Sequence, residues 1–179
     1  HTSGGVLHTT GFLELNLFGK RFMNEDLPAH LTCHQIFNQP GGYAWQFFDG
    51  NWPEQIGAYN SYFGAVNFRE QIPDRAFEQA IKAGKLFRAD TLEELLLLLD
   101  DMPVEAALES IRRYNALAEA GYDADFGKRS DRIFPLVKPP FYASLTVAGE
   151  VLATMNGLVS DENALVYGSD FRPIPSLYA

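Results

Sequence analysis

Glu25 lies at the end of the stretch Gly19-Lys20-Arg21-Phe22-Met23-Asn24-Glu25-Asp26, one residue before its last, where an extended segment gives way to a loop. A carboxylate in that place can handle a proton, or it can accept the free N–H groups that open the next helix. Spacing alone favours the cap. The other chemical suggestion is a surface or cleft rich in rings, since aromatic residues make up 13 % of the chain, with 14 Phe and 8 Tyr. Further chemistry is sparse. His30 and His34 are spaced i,i+4 but lack a third ligand, so no metal site is expected. No Gly-x-Gly-x-x-Gly or Walker loop cradles a pyrophosphate, and no Ser sits in a nucleophile elbow. Asp100 and Asp101 are adjacent and read as a solvated helix end.

The elements that must position Glu25 begin with the alternating run Phe12 to Phe18, which predicts a half-buried strand. Gly19 supplies a turn, and Lys20 to Met23 reads as the returning strand of a hairpin. Pro28 to Gln39 predicts a short helix, and Tyr43 to Phe48 is a β-prone run ended by Asp49-Gly50. Residues 54–73 show no clean period. Asp74 to Ala83 reads as a helix and Lys85 to Ala89 as a strand. Thr91-Leu92-Glu93-Glu94 is a capping box opening a leucine-rich helix. Pro103 opens a second helix that Gly121 ends, with Val104, Ala107, Leu108, Ile111, Tyr114 and Ala118 on one stripe. Glu109 and Arg113 are expected to pair on its other face. Strands are predicted at Phe141 to Val147, Val151 to Met155 and Leu165 to Tyr167, with a turn at Asn156-Gly157.

With 179 residues the chain is long enough to bury a core. Its net charge of −9, with Lys128-Arg129 and Arg132 as the densest basic group, argues against nucleic-acid and anionic-membrane partners. That basic group reads as a solvated loop. Cys33 stands alone, so there is no internal disulfide, and a buried inert thiol is expected. No apolar run approaches the ~18 residues of a membrane span. A soluble protein is expected, cytoplasmic or periplasmic, and the start at His1 suggests a piece of a longer chain. From residues alone the fold class is α+β.

Several stretches, in order, resemble the flavoprotein family of fumarate reductase, succinate dehydrogenase and 3-ketosteroid dehydrogenase. They are Leu17 to Glu25, Phe47-Phe48-Asp49, Phe87 to Leu95, Ile111 to Asn115, Gly121 to Gly127, Pro139 to Ala143, Thr154 to Leu158 and Ile174 to Ala179. The resemblance implies an FAD-dependent enzyme whose capping domain closes over substrate. Residues 1–10 would be a lead-in, 11–138 the cap, and 139–179 a truncated β-rich segment returning to the FAD domain. FAD would belong to the full-length protein and not stay bound to this piece, whose partners would be a small-molecule substrate and the remaining FAD-binding domain.

By the same resemblance Glu25 and Tyr142 would be catalytic, with Tyr59 or Tyr62 as alternative acids. Met23, Asn24, Thr154, Met155 and Asn156 would face substrate, and Gly157, Tyr178 and Ala179 would face FAD. The chain departs from fumarate reductases in having no Arg within Asp26 to Thr32 or Gly50 to Ala58, and Ala153 where they carry His. A less charged substrate is implied, such as an enone or aromatic compound, for reduction or desaturation of a C–C bond next to a carbonyl. The alternative is a non-catalytic binding or lid module.

Overall fold

A computed structural model describes residues 7, 11–59, 74–148 and 157–179. The two predicted strands with the strongest β-propensity pair at the centre of a four-stranded antiparallel sheet. They are β2 (Tyr43–Phe48) and β4 (Phe141–Val147), flanked by β1 (Leu13–Leu15) beyond β2 and β3 (Leu86–Ala89) beyond β4. Register aligns Glu14, Gln46, Ser144 and Leu86 in one row across the sheet. The period of two then sorts side chains onto two faces.

One face carries Leu13, Leu15, Trp45, Phe47 and Ala143. It packs on α4 (Leu92–Leu97) and α5 (Val104–Ala120) through Leu95, Leu96, Leu108, Ile111 and Tyr114. Each large side chain so buried contributes ~1.5–3 kcal/mol over exposure. Both helices start and stop on local signals. Thr91 Oγ1 accepts the N–H of Glu94 at 3.2 Å, and Gly121 takes φ 65° as the left-handed end of α5. The opposite face is aromatic at one end and polar at the other. Phe12, Phe48, Tyr142 and Leu86 gather with residues of α2 (Trp52–Gln55) and α3 (Asp74–Lys82), while α1 (Ala29–Phe37) packs on β2 and β4. A separate antiparallel pair, β5 (Leu165–Tyr167) and β6 (Pro173–Tyr178), ends the chain, and β6 is exposed throughout.

Several expectations are corrected. The first strand spans only three residues and is buried on both faces, Glu14 included. Lys20 to Met23 forms no strand: one bridge, Leu15 to Arg21, closes the turn. Asn16 organises it, its Oδ1 accepting the N–H groups of Phe18 and Lys20 at 3.0 and 3.1 Å. The first helix has Pro28 at its N-cap and no side-chain cap, so neither Glu25 nor Asp26 caps it. Glu109 pairs with Lys20 and Arg113 with Asp125, not with each other, because the turn and the 121–127 loop bring closer partners. Asp101 is bound rather than merely solvated, accepting from Tyr43 Oη and Trp45 Nε1. The strand expected at Val151 to Met155 lies outside the described residues.

Gly19 is required twice over. Its φ is +66°, and a Cβ there would stand 2.6 Å from the backbone nitrogen of Ala107 in α5. Gly19→Ala is expected to lower stability by about 2 kcal/mol or more, since left-handed strain of ~1–2 kcal/mol adds to the clash. Urea unfolding of the variant beside wild type measures it.

Candidate functional site

Glu25 lies at the centre of a buried charge network. Its carboxylate accepts Arg21 Nε at 2.8 Å and Nη2 at 2.9 Å, and Lys128 Nζ stands 3.3 Å from Oε2. Arg21 turns its other edge to Asp123, at 3.0 and 2.7 Å. Its guanidinium also lies between the rings of Tyr114 and Phe126, 5.0 Å from each centroid. Lys128 donates to the carbonyl of Gly11 and to Tyr114 Oη. Two cations thus meet two carboxylates with little access to solvent, the Arg21 side chain keeping 6 % exposure, and the charges cancel.

Local sequence builds each arm. The turn at Gly19 aims Arg21 inward, and the left-handed end of α5 throws the chain into Asp123-Ala124-Asp125-Phe126-Gly127. Asp123 folds that loop around itself, accepting the N–H groups of Asp125, Phe126 and Lys128. Burial pushes the Asp123 carboxyl up, but Arg21 and these N–H groups outweigh it and hold it at about 2. Burial likewise lowers Arg21 and Lys128, but Glu25 and Asp123 around Arg21, and Glu25 and Tyr114 around Lys128, more than reverse this, so both sit above their ordinary values. Sequence reasoning placed Lys128 in a solvated loop, yet it is 2 % exposed. The charge pattern alone carried no sign of this, because its partners are remote in the chain.

A second region surrounds Tyr142. Its ring is half-buried, stacked on Phe48 with centroids 5.0 Å apart and edge-on to Phe77 at 5.7 Å. Trp52 stacks on Phe77, and Phe12, Tyr59 and Phe134 continue the cluster. Among the described residues, no hydrogen bond engages the Tyr142 hydroxyl. Tyr59 differs: its hydroxyl donates to the Arg132 carbonyl at 3.1 Å, and burial pushes its phenol up. At the same end of β2, Asp49 Oδ2 accepts the N–H groups of Val137 and Lys138, both at 2.8 Å, and so fixes the approach to β4.

The remaining predicted residues divide. Met23 is buried at 3 % exposure, and Asn24 Oδ1 accepts the N–H of Asp26 in a local turn. Thr154, Met155, Asn156 and Tyr62 lie outside the described residues. Gly157 is exposed with no atom within 4 Å of where its Cβ would stand, Tyr178 is exposed on β6, and Ala179 donates its N–H to Ala164. All three are exposed and leave room beside them for a bound group. Cys33 is half-buried, and no metal-holding cluster of His, Cys, Asp or Glu occurs among the described residues. No described helix is long and apolar enough to cross a membrane.

This α+β arrangement is that of flavoproteins of the fumarate reductase and ketosteroid dehydrogenase type. The crystal structure of 3-ketosteroid Δ1-dehydrogenase from Sterolibacterium denitrificans, in complex with 1,4-androstadiene-3,17-dione, aligns with a TM-score of 0.66 at 27 % identity. It covers 97 % of this chain and 33 % of that one. The chain belongs to the FAD binding domain family, whose profile matches residues 4–179. It is similar to 3-oxosteroid 1-dehydrogenase of Mycolicibacterium smegmatis, 29 % identical over 96 % of this chain and 32 % of the relative. It is also similar to the cytochrome-linked fumarate reductase of Shewanella frigidimarina, 28 % identical over 98 % of this chain and 28 % of the relative. The chain therefore spans about a third of the length of these relatives.

Proposed function

We propose that this chain is the substrate-covering part of an FAD-dependent oxidoreductase that reduces or desaturates a C–C bond next to a carbonyl. The observation that carries the reading is half-buried Tyr142, whose ring stacks on Phe48 at the edge of the aromatic cluster and whose hydroxyl makes no hydrogen bond among the described residues. Flat rings suit an enone or a fused-ring ketone, and a phenol at their edge can hand a proton to, or take one from, the carbon or oxygen of such a substrate. In the full-length protein FAD supplies or accepts the hydride. Glu25 is the less suitable proton carrier, being held between Arg21 and Lys128. Its role in this reading is to brace the turn that carries Met23 and Asn24.

We place the cap within residues 11–147, moving its end beyond Pro139, because β4 is hydrogen-bonded on both edges to strands of that segment. Residues 157–179 then belong to the returning FAD-domain segment. Their exposed Leu158, Phe171, Leu177 and Tyr178 suit burial against the remaining FAD-binding domain, and Gly157, Tyr178 and Ala179 would border the cofactor there. Thr154 to Asn156 would contact substrate from the same segment. The complete pairing of Glu25 with cations also favours a second reading, a binding or lid module without catalytic groups.

The test is the intact protein, reconstituted with FAD and assayed with an enone such as cyclohex-2-enone or a 3-ketosteroid. Tyr142→Phe is expected to lower kcat by roughly 10²–10⁴-fold, the ordinary worth of a positioned acid or base. Glu25→Gln should lower stability while kcat stays within a few-fold. A protein that remains colourless with added FAD removes the oxidoreductase reading. Unchanged turnover in Tyr142→Phe removes Tyr142 from it.

A further inference from the structure

Asp26 and Arg132 form a nearly buried ion pair that the proposed chemistry leaves without a role. Arg132 Nη1 donates to Asp26 Oδ1 at 2.5 Å, and the two side chains keep only 14 % and 10 % exposure. Shielding from water makes such a pair a firmer tie than a surface pair, whose charges are screened. Its partners stand 106 residues apart in the chain, so it joins two separate elements.

Each partner is fixed on its own side. Asp26 ends the turn that carries Met23 and Asn24, and its N–H donates to Asn24 Oδ1 at 2.9 Å. Arg132 closes a single 3₁₀ turn, Ser130–Arg132. The next two residues divide between the cores: Ile133 is buried with the first sheet face, and Phe134 is edge-on to Tyr59. The Arg132 carbonyl accepts the Tyr59 hydroxyl at 3.1 Å. Tyr59 in turn lies against Gly11, where a Cβ would stand 2.1 Å from its ring, and edge-on to Phe12. Arg132 thus holds the Met23-Asn24 turn with its side chain and the ring cluster with its backbone.

We propose that Arg132 is a positioning residue that sets the spacing between the Met23-Asn24 turn and the aromatic cluster, and through it the fit of a flat ketone. This role rests on the substrate-covering function proposed above. The guanidinium is committed to Asp26 and has little surface left for a ligand, so it acts through Asp26 rather than on substrate. Without it the Asp26 carboxylate is free to turn towards water, and the turn can move with it. A displacement of about 1 Å in a positioning group is enough to weaken turnover by as much as ~10²-fold.

The experiment is steady-state kinetics of the intact, FAD-loaded protein with cyclohex-2-enone or a 3-ketosteroid, with ketone affinity read in parallel from the flavin absorbance. Arg132→Met, Asp26→Ala and their double variant are compared with wild type and with Arg132→Lys. In each single variant KM and the ketone Kd are expected to rise about tenfold, with kcat within a few-fold because Tyr142 is untouched. The double variant should be no worse than either single one, since both remove the same tie. Arg132→Lys keeps the charge and should recover most of the loss. Wild-type ketone affinity in Arg132→Met, or losses that multiply in the double variant, overturns the proposal. Should Arg132→Met fail to fold, Asp26→Asn decides: weaker ketone binding is expected, and wild-type binding is equally fatal. A protein that stays colourless with FAD removes the oxidoreductase reading and this role with it, whereas wild-type affinity in a flavin-loaded Arg132→Met removes Arg132 alone.

Discussion

Arg21→Met is expected to lower stability by about 3–5 kcal/mol, the cost of stranding a buried charge. The guanidinium side chain is 6 % exposed, and the two carboxylates it joins, Glu25 and Asp123, are 0 % exposed. Without it Asp123 keeps only backbone donors, and Glu25 keeps Lys128 and its backbone contact to Glu14. Arg21→Lys recovers only part of the loss, because one ammonium cannot engage two carboxylates bidentately from opposite edges. The discriminating variant is Arg21→Met combined with Glu25→Gln and Asp123→Asn. Removing the anions along with the cation takes away the uncompensated charge, so the triple variant should be more stable than Arg21→Met alone. Urea unfolding of the intact protein reads each value. A loss below about 1 kcal/mol for Arg21→Met would show that water reaches the network and screens it.

Glu14→Gln, by contrast, is expected to stabilise, and increasingly so as pH rises. Glu14 has its carboxyl raised in the folded state by burial and by Glu25, while Thr146, Gln46 and Lys128 pull more weakly the other way. A raised acid binds its proton more tightly folded than unfolded. Its stabilising effect is therefore complete below the ordinary value of 4.5 and is lost as pH climbs from there towards the folded value. Across that window wild type loses up to about 1.4 kcal/mol per pH unit at this one site. Glutamine mimics the neutral acid and has no proton to lose. The two proteins should match near pH 4 and separate as pH rises above 4.5, a difference read by thermal unfolding at a series of pH values. Subtracting one curve from the other cancels most of the titration of groups the two proteins share, Lys128 among them. A difference that does not change with pH would mean Glu14 is ionised in the folded protein.

The elements legible in the sequence share a physical character. β2 and β4 match the predicted Tyr43 to Phe48 and Phe141 to Val147 at both ends, and α5 runs between Pro103 and Gly121 as expected. Each is set by neighbours within a few residues: β-branched and aromatic runs, a proline that cannot donate, a glycine free to turn left-handed. The capping bond at Thr91 is likewise a matter of three residues. The motifs around Gly19, Gly121 and Pro139 were enough to identify the flavoprotein family.

The site was legible only in its members, not in their company. In the sequence Glu25 stands out as a cap or a proton carrier, and Lys128 reads as a surface charge. A charged residue in a loop is usually solvated, and no local pattern says otherwise. What reverses this is the meeting of Arg21 with Asp123, 102 residues apart, and of Lys128 with Gly11, 117 residues apart. Gly19-Lys20-Arg21 and the 121–128 loop each form by themselves. Only the seating of the Gly19 turn on α5, where Ser110 Oγ donates to the Gly19 carbonyl, brings them together and turns four ordinary surface charges into one buried neutral cluster. Periodicity and turn chemistry act over a few residues and can be read along the chain. Desolvation and Coulomb attraction depend on distance in space, so the state of Glu14, Glu25 and Lys128 follows from the fold.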